Sequence, residues 1–195
     1  MAHAGQLIVN PITGEHMTFL QTAADTGGAL LRADVTVAPQ KAFLPLHIHE
    51  FSSERWEVIS GRLAVRLGSE TLSLGPGEQA IAPAGAAHTW WNADAGDVRF
   101  ITEVVPPRRM ENVFEATAGL ARDGKVLVVA RRLIPSNPLE LALLLRLGGS
   151  YAAEPPIPIR VQALVYEGLS ALATRLGYPP DFPQYGDVSV GAGVV

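Results

Sequence analysis

The chain has 195 residues, 48% hydrophobic and 17% charged, which excludes a disordered polypeptide and suits one ordinary domain or a smaller domain with an extension. Fifteen basic residues against 19 acidic ones give a net charge of -4, and the basic residues are scattered apart from Arg108/Arg109 and Arg131/Arg132, so no nucleic acid partner is expected. The absence of cysteine removes disulfides, thiolate metal sites and cysteine nucleophiles; any metal must be held by nitrogen and oxygen.

The opening stretch MAHAGQLIVNPITGEH lacks the basic start and apolar run of a secretory signal. The most apolar stretch, PLELALLLRL, is too short and interrupted to span a bilayer. A cytoplasmic protein without a membrane partner is the resulting expectation. From about residue 16 to 105 short alternating runs (HMTFLQT, ALLRADVTV, RLAVRL, ETLSL, VRFITEVV) are separated by Gly, Pro and Asp, the pattern of an antiparallel sandwich or barrel. The segments DTGG and LGSE read as hairpin turns, since Gly tolerates the positive φ of a tight reversal.

After Pro106 and Pro107 the period changes. RRMENVFEATAGL places Met110, Val113 and Phe114 on one helical face and is expected to stop at Gly119, after which KVLVVA offers a further strand. Asn137 as cap, Pro138 at the first helical position and Glu140 three residues past the cap mark a helix start. A second helix over 158–176 repeats Val161, Leu164, Val165, Leu169, Leu172 and Leu176, then meets Gly177 and Pro179; AAEPPIP links the two helices. The expected division is a β unit over 1–107 and a mostly helical extension over 108–195 that covers the barrel or forms a dimer contact.

The segment LPLHIHEFSSERWEVISG concentrates the chemistry. Side chains alternate along a strand, so His47 and His49 share a face, and Glu54 returns to it after a short bend. Downstream, GEQAIAPAGAAHTWWN uses Gly77, Pro83 and Gly85 to shape a turn that delivers His88 as a fourth donor.

These two stretches resemble the two sequence motifs of the cupin superfamily. His47, His49, Glu54 and Gly61 fill the first, G(x5)HxH(x4)E(x6)G, with Lys41 in place of its leading glycine; Gly77, Pro83, Gly85, His88 and Asn92 fill the second, G(x5)PxG(x2)H(x3)N. The resemblance covers roughly residues 40–105, and the helical tail is similar to extensions on some bacterial single-cupin proteins. It implies a mainly β fold, the double-stranded β-helix or jelly-roll barrel, with C-terminal α-helices and a metal near the barrel centre.

Three neutral imidazoles and a carboxylate suit one divalent transition metal ion, Fe, Mn, Ni, Co or Zn, and leave two octahedral positions open. His47, His49, Glu54 and His88 are the expected ligands, with Glu54 also a candidate catalytic base if it loosens from the ion. By alternation Phe43, Pro45, Trp56, Val58 and Trp90 face inward beside the metal. Of these, Phe43, Trp56, Val58 and Trp90 are the candidate substrate pocket, an aromatic wall suited to a flat, largely apolar organic molecule.

Asn92 is read as closing a turn near Asp94 and Gly96. His3 and His16 are expected to stay outside the site, Arg55 and Glu57 to face outward, and Tyr166 is a further aromatic within a substrate's range. The leading functional expectation is a dioxygenase-like, quercetinase-type oxidoreductase for a small aromatic or polyketide-like molecule. The alternatives are a metal-dependent isomerase, lyase or cyclase, and a non-catalytic metal- or ligand-binding cupin. A homodimer is expected, because exposed sheet edges are commonly covered by pairing.

Overall fold

The computed structural model describes residues 2–39 and 42–186; Lys41, the departure from the first motif, lies outside them. The β unit runs β1 (Leu7–Asn10), β2 (Glu15–Gln21), β3 (Leu31–Val37), β4 (His47–His49), β5 (Ser53–Ser60), β6 (Leu63–Leu67), β7 (Glu70–Leu74), β8 (Gln79–Ala82), β9 (Ala87–Asn92) and β10 (Val98–Val105). The C-terminal part follows as α1 (Met110–Arg122), β11 (Val126–Val129), β12 (Arg132–Pro135), α2 (Pro138–Gly148), β13 (Ser150–Ala152) and α3 (Ile159–Arg175), then a short 3-10 turn at Pro183–Tyr185.

Two antiparallel sheets face each other, a six-stranded one in the order β1-β2-β3-β10-β5-β8 and a five-stranded one in the order β13-β4-β9-β6-β7. From β3 onward the chain repeatedly crosses between them, which is jelly-roll topology. Alternation explains why the strands stay in register: in β3, Leu31, Ala33, Val35 and Val37 are buried, while Arg32, Asp34 and Thr36 face out. A one-residue slip would expose that whole apolar row. Phe19, Leu31, Trp56, Leu63 and Phe100 fill the space between the sheets without solvent exposure. Each such side chain contributes about 1.5–3 kcal/mol by burial.

Two motif residues have plain structural duties. Gly61 holds φ 77°, and a Cβ there would come within 2.5 Å of the Asp97 carbonyl oxygen, so only glycine lets the β5–β6 turn approach the strand behind it. Asn92 donates its amide to the Val37 and Gly96 carbonyls and accepts from the Asp94 N–H, closing the β9–β10 turn.

The C-terminal part departs from expectation in three places. α1 does not stop at Gly119 but continues to Arg122. The ring of Tyr185 lies against the Gly119 backbone where a Cβ would be, so this glycine permits close packing rather than ending the helix. Ser150–Ala152, which falls at the end of the expected helix and in the linker, forms β13 and pairs with β4, the strand carrying His47 and His49. α3 does not bury its apolar stripe: Leu164 is 70% exposed, Leu176 61% and Val165 50%, while the helix docks through Gln162, Ser170 and Ala173. Gln162 explains that docking, because its amide accepts from Ala152 N and donates to the carbonyls of Ala152 and Ile157.

α2 starts as expected, with Asn137 Oδ1 accepting from Leu139 N at 2.9 Å and Pro138 inside the first turn. α1 links two apolar clusters. Met110 belongs to the barrel core, whereas Ala116 and Leu120 pack with Leu143, Leu144, Ala173 and Phe182.

Candidate metal centre

β4, β5 and β9 bring the four expected donors together. His47 is the antiparallel partner of His88, Glu54 enters from the opposite sheet, and one donor atom from each of His47, His49, Glu54 and His88 lies within 4.8 Å of the others. His3 and His16 are not in this group.

The second ring nitrogens explain how the imidazoles are aimed. His47 Nδ1 lies 2.8 Å from the Pro45 carbonyl and His88 Nδ1 2.9 Å from the Ala86 carbonyl. A carbonyl only accepts, so each Nδ1 carries a proton and Nε2 is the atom turned toward the site. His49 Nδ1 meets Ser150 Oγ at 2.9 Å. Glu54 is oriented in the same manner: Trp56 Nε1 and Thr102 Oγ1 both donate to Oε1, at 3.1 and 3.2 Å. Oε2 is left facing His88 Nε2 at 3.4 Å and His49 Nε2 at 3.7 Å.

Electrostatics agree with that donor set. Burial alone would raise the Glu54 carboxyl, but the His49 and His88 imidazoles outweigh it and hold the group well below the usual carboxylate range. Burial, then the charges of His49 and His88, push His47 down to about 3, so it is neutral. Burial also lowers His88, but the Glu54 carboxylate reverses the balance and raises it. His88 Nε2 is buried with no hydrogen-bond partner among the described residues. A buried orphan nitrogen beside a carboxylate and two further imidazoles fits a divalent metal, because a cation would satisfy that nitrogen and offset the buried charge.

His47, His49, Glu54 and Thr102 open onto a cavity of about 310 Å³ whose wall is mostly apolar. Much of that wall comes from the C-terminal part: Met110 and Phe114 of α1, Leu133 of β12, Leu144 of α2, Ser150 of β13 and Tyr166 of α3 all line it.

The four expected pocket residues part company. Trp90 lines the cavity and meets Phe100 edge-on at 5.0 Å. Trp56 and Val58 face inward, as alternation requires, but are sealed in the core and do not line the cavity; Trp56 acts on Glu54 instead. Phe43 also leaves the large cavity, stacking on Trp91 at 5.5 Å and bordering a smaller hollow with Glu15 and His47. The segment before His47 is not a continuous strand, so the phase of His47 does not extend back to Phe43.

Several site residues escaped the sequence reading. Thr102 shares the buried phase of Phe100 and Val104, and Glu15 that of Met17 and Phe19, so alternation contained a signal for both. Ser150 had none, because its role depends on the long-range pairing of β13 with β4.

Residues 33–104 match the family described as Cupin domain. A jelly-roll barrel with this motif pair defines the class, and residues 33–104 form a cupin domain. Among solved structures, the chain is similar to TT1209 from Thermus thermophilus, at 29% identity over 46% of this chain and 83% of that one, with a TM-score of 0.40. KdgF from Halomonas sp. matches at 22% identity over 48% and 79%, with a TM-score of 0.42. A predicted oxalate decarboxylase from Thermotoga maritima matches at 18% identity over 54% and 99%, with a TM-score of 0.46. A search of curated proteins returns no match. Among the described residues no helix is long and apolar enough to cross a membrane.

Proposed function

We propose that this protein is a mononuclear metal-dependent oxidoreductase of the dioxygenase type, acting on a small, largely apolar aromatic or polyketide-like molecule. The observation that carries the reading is the cluster of His47, His49, Glu54 and His88 at the wall of a mainly apolar cavity of about 310 Å³. A divalent transition metal held there supplies Lewis acidity and a template for a substrate oxygen and a second small ligand side by side.

The chain's own residues do the rest. Trp90, Met110 and Phe114 offer apolar surface to a ring, and the C-terminal elements complete the cavity wall. Glu54 serves first as a ligand through Oε2, since Trp56 and Thr102 hold its other oxygen. A role for Glu54 as base requires it to swing away from both donors. The openness of the site toward the cavity favours substrate access over the closed shell of a structural ion. The same reading includes a homodimer, supported by the exposed stripe of α3; sedimentation of wild type against Leu164→Glu tests it, a single species of monomer mass in both being the adverse result.

Metal analysis of the purified protein, followed by oxygen uptake with flavonols, catechols and diketones under Fe(II), Mn(II) and Ni(II), tests the activity. Oxygen consumption with substrate loss is expected. Turnover without oxygen replaces this reading with an isomerase, lyase or cyclase, and metal retention without any turnover replaces it with a binding protein.

A further inference from the structure

Two polar side chains face the cavity for which the barrel supplies only half the partners. Asn10 on β1 and Glu15 on β2 are direct cross-strand partners, so their side chains stand together on one sheet face, and both line the cavity. Asn10 Oδ1 accepts from Ile12 N at 3.0 Å and Thr13 N at 3.2 Å, which fixes the orientation of the amide. Its Nδ2 then has no protein partner among the described residues.

Glu15 repeats the arrangement. Thr13 Oγ1 donates to Oε2 at 2.6 Å, and Oε1 has no partner among the described residues. The side chain keeps partial accessibility although it lies deep in the protein, because the space before it is the cavity. Closing the loop after β1 accounts for Asn10 Oδ1 and Thr13, but leaves Nδ2 and Oε1 unexplained. A carboxyl in a mostly apolar wall is costly unless something pairs with it.

A hydroxyl answers both atoms, since it donates to a carboxyl oxygen and accepts from an amide N–H in one position. Within the sheet β3 and β10 separate β2 from β5, the strand of Glu54, but across the barrel Glu15 borders the same small hollow as His47. We propose that Asn10 and Glu15 form a hydroxyl-binding subsite on the cavity wall, selecting a mostly apolar molecule that carries an alcohol or phenol. Burial pushes the Glu15 carboxyl up to about 7 against the Thr13 hydrogen bond, with the Glu54 charge adding to the rise.

The inference rests on the cavity being the substrate pocket, and it is tested by binding rather than turnover, so the dioxygenase reading can fail separately. Calorimetry on the full chain with 2-naphthol and naphthalene is the experiment, with circular dichroism to verify the fold of each variant. Wild type is expected to favour 2-naphthol by roughly tenfold. Glu15→Leu, which removes the carboxyl, and Asn10→Asp, which keeps the loop-closing oxygen but loses the donor, should each bring the ratio to within about twofold. Equal affinities in wild type, a preference unaltered in both variants, or no binding of either compound overturns the proposal.

Discussion

Ser150 Oγ and His49 Nδ1 are 2.9 Å apart although 101 residues separate them in the chain. Through this contact a residue of the C-terminal part orients one of the three donor imidazoles, as partners of ligating histidines generally do. Ser150→Ala should leave all four donors in place yet weaken metal affinity by about 10–100-fold, while Ser150→Thr retains most of it. Competition against a chelator of known affinity reads the difference; equal affinities in wild type and Ser150→Ala would mean that the contact only holds β13 to the barrel.

Alanine at His47, His49, Glu54 or His88 should abolish stable metal retention, measured by elemental analysis after dialysis. A stability readout accompanies it. Metal at 100 times its dissociation constant stabilises a folded protein by about 2.7 kcal/mol. For a chain of this size that is a rise of roughly 5–10 °C in Tm. The rise is expected in wild type and absent from His88→Ala; the same rise in both would place the metal elsewhere.

Metal binding should also depend on pH, with a defined sign. Without metal, Glu54 keeps the His88 imidazole protonated above its ordinary value, overcoming the opposing effect of burial. A metal must displace that proton, so affinity rises as pH increases up to the raised His88 value and levels off above it, by about tenfold per pH unit for one proton. The His88–Glu54 attraction stabilises the metal-free fold most below the ordinary histidine value and is lost as pH climbs through the raised one. Glu54 works the other way: its depressed value stabilises above the usual carboxylate range and fades as pH falls. Titrations between pH 5.5 and 8, a window of about 2.5 units around the histidine range, decide it, and a flat profile would be the adverse outcome.

Trp56 and Trp90 should respond differently to substitution. Trp56 is fully buried and donates to Glu54, so Trp56→Phe should cost about 1–3 kcal/mol of stability and loosen the metal ligand. Trp90 borders the cavity, so Trp90→Phe should remove most of the fluorescence response to a bound aromatic compound and leave the melting temperature nearer to wild type. Thermal melts and fluorescence titrations of the two variants, side by side, check this pair; the converse pattern would place the ligand against Trp56.

What could be read in advance follows how local the physics is. Alternation in VRFITEVV and LRADVTV made the strands visible, and the Asn137–Pro138 start made α2 visible, because each depends on neighbours within a few residues. The stripe on α3 was equally visible, but periodicity only says that a face is apolar. It does not say whether that face finds a partner, and here Gln162 and Ala173 dock the helix with the stripe turned outward. Gly119 misled for a related reason: a glycine can end a helix or admit a close neighbour, and only the position of Tyr185 distinguishes the two.

The order of residues by itself determined the donor set, since the HxH spacing and strand alternation put His47 and His49 on one face, with Glu54 and His88 placed by the motif pair. Tertiary structure alone decided what surrounds those donors. Ser150 behind His49, the seating of Trp56 against Glu54, and a cavity walled by α1, α2 and β12 all arise from pairings between segments far apart in the chain. Short-range periodicity carries no information about which distant element will cover which face, because that choice is made by the packing of whole surfaces.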